Sequence, residues 1–99
     1  MVLKINVIKG YDKGKTESFS DFPISIGRWE DNDFQLSDTL VSRMHCAIDY
    51  RNNSFYVRDL KSANHTIVND KLVNSELPIN NNDIIMVGGS FLHISISNV

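Results

Sequence analysis

The stretch Thr66-Ile67-Val68-Asn69-Asp70-Lys71-Leu72-Val73 decides the fold. Two short apolar runs flank Asn69-Asp70, as two strands flank a two-residue hairpin turn. Outward from this hairpin, the same short alternation recurs along the chain. Leu3, Ile5 and Val7 share one face of a run near the start, and Leu92, Ile94 and Ile96 share one face of a run near the end. Shorter runs fall at Ile24-Ser25-Ile26, Cys46-Ala47-Ile48 and Phe55-Tyr56-Val57. A period of two, rich in β-branched and aromatic side chains, marks half-buried strands, and no stretch shows the 3.6-residue period of a helix. Turn-formers punctuate the runs at Gly10–Gly14, Asp21-Phe22-Pro23, Glu30–Asp33, Arg51-Asn52-Asn53, Asn80-Asn81-Asn82 and Gly88-Gly89. A spacing of about ten residues between turns predicts an all-β fold, a two-sheet antiparallel β-sandwich of about ten or eleven short strands. Neither an internal repeat nor a low-complexity linker interrupts it. Residues 1–99 are therefore expected to form a single domain, either alone or as the N-terminal domain of a longer protein.

Charge and cysteine content narrow the function. Lysine and arginine number 10 against 12 acidic residues, for a net charge of −2. No global basic field draws such a chain to nucleic acid or to an anionic membrane, so an anionic ligand needs a local cluster of positive charge. Cys46 is the only cysteine, which rules out an intramolecular disulfide and suits a reducing interior. The longest apolar run, Ile84-Ile85-Met86-Val87, is far short of the roughly 20 residues that span a bilayer. The expectation is an intracellular, cytoplasmic protein of undetermined oligomeric state.

In a sandwich the loops cluster at the two ends, and function is sought there. The richest loops are Arg28–Asp33, Ser37–Met44 and Lys61–Thr66. Catalysis finds little support in them. His45, His65 and His93 do not pair at metal-ligand spacing, and His45 and Cys46, being adjacent on a strand, point to opposite faces. Ser42 and His45 offer a nucleophile and a base with no carboxylate evident to orient the histidine. The chain is expected to be no enzyme and to need no metal or cofactor.

One ordered set of motifs remains. Gly27-Arg28 follows a strand; then come Ser42-Arg43-Met44-His45, Asp59 with Asn64-His65-Thr66-Ile67-Val68-Asn69, and Asn82-Asp83-Ile84-Ile85 with Gly88 close behind. Their order and spacing, over nearly the whole chain, resemble the forkhead-associated (FHA) domain. That family's pattern runs Gly-Arg, Ser-Arg-x-His, Asn-Gly-Thr-x-Val-Asn-Gly and Gly-Asp-x-Ile. The resemblance implies a module that binds a threonine-phosphorylated protein or peptide through Arg28, Ser42, Arg43, Asn64, His65 and Thr66. Gly27, His45, Asp59 and Asn69 would support that site, and a pocket for the threonine methyl would disfavour phosphoserine. The residue chemistry agrees. A phosphothreonine carries about −1.5 to −2 charges and three acceptor oxygens, which suit two guanidinium groups and a hydroxyl. Asn64 both donates and accepts, as an extended peptide backbone requires. Taken singly, each residue has a plainer reading: Arg28 paired with Glu30 or Asp31, Arg43 a solvated charge, Ser42 a turn residue.

Three family glycines are replaced, by His65, Asp70 and Asn82. Asn, Asp and His are the non-glycine residues most enriched at positive φ, so each is expected to hold a left-handed turn. His65 adjoins Asn64 and admits three readings. It occupies the turn and points to solvent, or its cation strengthens phosphate binding below neutral pH, or it blocks the peptide. The last reading keeps an alternative alive: an FHA-like interaction domain that binds its partner independently of phosphorylation. The preceding loop leaves two readings open for the residues flanking the phosphothreonine, an apolar preference from Leu40 and Val41 or a basic one from Asp38, and the sequence does not choose between them. His93 is expected to face outward, and Trp29 to be partly exposed.

Overall fold

The computed structural model describes residues 1–98; Val99, the last residue of the expected domain, lies outside them. Eleven strands follow in order: β1 (Val2–Lys9), β2 (Thr16–Phe19), β3 (Ile24–Gly27), β4 (Phe34–Gln35), β5 (Cys46–Arg51), β6 (Ser54–Asp59), β7 (Thr66–Val68), β8 (Lys71–Leu72), β9 (Glu76–Ile79), β10 (Ile84–Val87) and β11 (Ser90–Ser97). They form a six-stranded sheet in the order β2-β1-β11-β10-β7-β8 and a five-stranded sheet in the order β4-β3-β5-β6-β9. No helix occurs among the described residues.

The alternating pattern explains the pairing. β1 and β11 run antiparallel with Leu3 opposite Ile96, Ile5 opposite Ile94 and Val7 opposite Leu92, so apolar residues face each other on the inner side. A slip of one residue would turn them all to solvent, which fixes the register. The inner faces close over Leu3, Ile5, Val7, Ile85, Leu92 and Ile94 from one sheet and Ile26, Phe34, Ile48 and Val57 from the other, all buried. Each such side chain contributes about 1.5–3 kcal/mol through burial. Phe22, Tyr50 and Phe55 pack edge-to-face and tilted at one end, with Phe22 and Phe55 centroids 5.0 Å apart.

The turn chemistry is as the sequence predicts. Asn69 and Asp70 have φ of 46° and 71° and join β7 to β8, where Val68 pairs with Lys71. Asn52 and Asn53, at 52° and 61°, join β5 to β6 in the same manner. His65 (62°) and Asn82 (72°) also hold the left-handed backbone expected of glycine replacements. His93 is half-buried, and its ring lies 3.2 Å from the Asn82 side-chain oxygen.

One pair departs from the antiparallel scheme. β4 lies parallel to β3, with Ile26 opposite Phe34. The loop of residues 28–33 leaves β3 and re-enters beside it because Asp33 folds back. Its carboxylate accepts the Ser25 N–H at 2.8 Å, while the Asp33 N–H donates to the Ser25 hydroxyl. Phe34 and Leu36 then drop into the core. This fold-back brings the 28–33, 37–45 and 60–65 loops together at the end opposite the Asn52-Asn53 turn.

Candidate functional site

The site is assembled by a close approach between the end of β3 and the chain at 42–45. The His45 N–H donates to the Ile26 carbonyl (2.9 Å), the Arg28 N–H to the Ser42 carbonyl (3.0 Å) and the Trp29 N–H to the Arg43 carbonyl (3.3 Å). Only glycine fits at position 27. A Cβ there would collide with the Arg43 carbonyl oxygen and come within 2.8 Å of the Asn32 amide nitrogen. Asn32 completes the junction. Its side chain is buried, and its amide nitrogen donates to the carbonyls of both Trp29 and Arg43 at 2.8 Å each.

His45 connects two loops from inside. Its ring is fully buried between two loops. Nδ1 accepts the Ser42 N–H at 3.0 Å, so the proton resides on Nε2, which donates to the His65 carbonyl at 2.7 Å. Only the neutral ring can do both. Burial pushes its pKa down from the ordinary imidazole value, against the opposing influence of the His65 carbonyl and the Asp59 and Asp38 carboxylates. Ser42 and His45 are not a nucleophile and its base: the backbone N–H, not the hydroxyl, meets the ring.

Asp59 organises the 60–65 loop. One oxygen accepts the Ser62 hydroxyl (2.5 Å) and the Thr66 hydroxyl (2.8 Å), the other the Ser62 N–H (3.1 Å). Burial pulls this carboxyl upward, but the Ser62 and Thr66 hydroxyls, the Ser62 N–H and nearby His45 together hold it below the usual carboxylate value. Thr66 requires a correction. Expected among the peptide-binding residues, it is fully buried with its hydroxyl committed to Asp59, so its side chain supports the loop from below. Asn69 braces a different place. Its amide bridges the Asp83 carboxylate and the Ile84 N–H, at the far end of β7 from the loop.

The remaining residues form one exposed surface. Ser42 Oγ accepts the Ala63 N–H at 2.9 Å, which leaves the hydroxyl proton free to donate. Asn64 donates to the Leu40 carbonyl at 2.8 Å, and its amide oxygen and second N–H take no partner among the described residues. Arg28 donates through Nε to the Val41 carbonyl at 3.1 Å, which anchors the guanidinium and leaves its terminal nitrogens unengaged. Arg43 lies over the Trp29 ring, 5.5 Å from its centroid. Among the described residues neither arginine is in an ion pair, so pairing of Arg28 with Glu30 or Asp31 does not occur. Arg28, Arg43, Asn64 and His65 are exposed and Ser42 is half-buried. These hydrogen bonds link positions 28, 40–42 and 63–64, and Arg43 joins them through its contact with Trp29.

The preceding loop differs from expectation. Val41 is buried and only Leu40, 53% exposed, is available to a ligand. Asp38 has a role within the fold: it accepts the Gly89 N–H (2.8 Å) and Ser90 hydroxyl (3.0 Å) with one oxygen and the Leu40 N–H with the other. It ties the loop down onto the β10–β11 turn. There Gly88, at φ of +60°, leaves no room for a side chain against the backbone of Leu40 and Val41. The sequence reading missed Asn32, Ser62 and this role of Asp38. The spacing Asp59-x-x-Ser62 was a usable local signal, whereas Asn32 looked like any polar turn residue.

A family model of the FHA domain matches residues 24–88. The probable E3 ubiquitin-protein ligase dma1 of Schizosaccharomyces pombe is 32% identical over 73% of this chain and 32% of its own length. A structure from work on phosphothreonine-dependent FHA domain interactions superposes with a TM-score of 0.89 at 29% identity, covering 100% of both chains. Mycobacterium tuberculosis EmbR in complex with a low-affinity phosphopeptide superposes at 0.87 with 27% identity, over 97% of this chain and 24% of that one. The chain spans about a third of the length of dma1 and of the glycogen accumulation regulator GarA of Mycobacterium tuberculosis, which it also matches.

Proposed function

This chain belongs to the FHA domain family, and from that membership we propose that its Arg28–Ser42–Arg43–Asn64 face binds a threonine-phosphorylated protein or peptide. The observation that carries the reading is the fixation of Ser42. Its carbonyl, its N–H and its hydroxyl oxygen are each occupied by a different element (Arg28, His45 and Ala63). The one group left over is a hydroxyl proton, and the guanidinium of Arg28 and the amide of Asn64 are likewise anchored by one hydrogen bond each. Such a preorganised set of donors suits a phosphate dianion. Support also comes from the phosphothreonine-dependent interactions of one structural relative and the phosphopeptide held by another. Binding rather than catalysis is the chemistry this face offers, in an intracellular setting that keeps the buried Cys46 reduced.

A titration against an oriented phosphothreonine peptide library, with phosphoserine and unphosphorylated versions alongside, tests this. Binding confined to phosphothreonine is the expected result. Arg28→Ala should then retain the wild-type circular dichroism spectrum and lose about 2–5 kcal/mol of binding, as expected for one partner of a charged hydrogen-bonded pair. Unchanged affinity in that variant, or a partner captured equally after phosphatase treatment, would overturn the assignment.

A further inference from the structure

Resting on that reading, we infer that Trp29 is a positioning residue for Arg43: its indole is the platform that aims the second guanidinium at the phosphate. Arg28 is held by the Val41 carbonyl, but Arg43 has no hydrogen bond or ion pair from its side chain among the described residues. Its side chain lies against the Trp29 ring, at 5.5 Å from guanidinium carbon to centroid, within the range of a cation–π contact.

The backbone enforces that juxtaposition. The Trp29 N–H donates to the Arg43 carbonyl at 3.3 Å, and the buried Asn32 amide grips the Trp29 and Arg43 carbonyls together. Two residues far apart in sequence are thereby held side by side before any side chain is placed. Trp29 remains 48% exposed, so core packing does not explain an indole at this position. A free arginine side chain at the surface loses rotamer entropy when it is fixed on a ligand. An aromatic ring beside the guanidinium removes part of that loss in advance without occupying its N–H groups in hydrogen bonds. Glu30 and Asp31 adjoin Trp29 in sequence and are the competing partners, yet neither is paired with Arg43.

The test is a double-mutant cycle read by binding of the phosphothreonine peptide pool. Trp29→Ala is expected to weaken binding roughly two- to fivefold, with Trp29→Phe recovering most of it. In an Arg43→Ala background, Trp29→Ala should cost nothing further. An equal loss in both backgrounds would mean that Trp29 acts on the peptide or the fold directly, and would overturn the inference. So would an unaffected Trp29→Ala in a protein that binds the pool. A wild-type chain that binds no phosphopeptide would overturn the proposed function, and this inference with it. A second readout uses the unliganded protein: the Arg43 side-chain methylene protons should show an upfield ring-current shift by NMR that Trp29→Ala abolishes. Unshifted resonances in the wild type would sink the stack itself.

Discussion

Replacing His45 with leucine isolates what the buried imidazole does. Leucine has a similar volume, so the change opens no large cavity, but it withdraws both ring nitrogens. The Ser42 N–H and the His65 carbonyl are then left without their partners, at 3.0 and 2.7 Å in the wild type. Each orphaned buried group costs about 1–3 kcal/mol, so His45→Leu should destabilise the domain by roughly 2–6 kcal/mol. That is a large share of the ~5–15 kcal/mol that holds a domain of this size together. Urea unfolding at pH 7.5, followed by far-UV circular dichroism, measures the change. Phosphopeptide affinity should fall as well, even under conditions where the variant is folded, because Ser42 and the 60–65 loop lose their common strut. A variant within 1 kcal/mol of wild type would refute the reasoning. It would mean that the two loops hold their shape through the Asp59 and Asn32 contacts alone.

Two further outcomes follow from the same network. Folded His45 takes up a proton less readily than His45 in the unfolded chain, whose pKa is near 6.5, so its contribution is complete above that value and declines as pH falls below it. Asp59 adds a second loss at lower pH, since its carboxyl is held below 3.8 in the folded state. Urea midpoints measured from pH 8 to pH 5 should fall for wild type and fall less steeply for His45→Leu; parallel profiles would contradict this. Gly27→Ala forces a methyl group against the Arg43 carbonyl and the Asn32 amide and should cost about 1–3 kcal/mol from overpacking alone. A urea midpoint equal to that of wild type would show that the junction between β3 and the 42–45 chain yields more easily than its hydrogen bonds indicate.

The sandwich was legible because its information is local. Leu3, Ile5 and Val7 declare an inner face by spacing alone, and Asn69-Asp70 declares a turn by its tolerance of positive φ. The motif residues Gly27, Arg28, Ser42 and His45 were found the same way, since each stands in a short recognisable string. The supports were not, because their meaning lies in contacts between distant parts of the chain. Asn32 acquires its role from the Arg43 carbonyl and Asp38 from Gly89 and Ser90, and no periodicity marks either. Thr66 and Val41 misled for a related reason. Each sits one or two residues from an exposed site position, where alternation sends one side chain outward and the next into the core.

His65 shows how this division of labour permits a glycine to be lost. The position has two duties: a left-handed backbone, met at φ of 62°, and a carbonyl aimed at His45, met at 2.7 Å. Both belong to the main chain. A side chain with some tolerance of positive φ can therefore replace glycine without disturbing the strut beneath Ser42. The imidazole is exposed and carries no hydrogen bond among the described residues, so the fold places no demand upon it. The histidine therefore leaves the loop geometry intact. The choice between solvent, phosphate and steric block is thereby reduced to what a bound peptide meets beside Asn64.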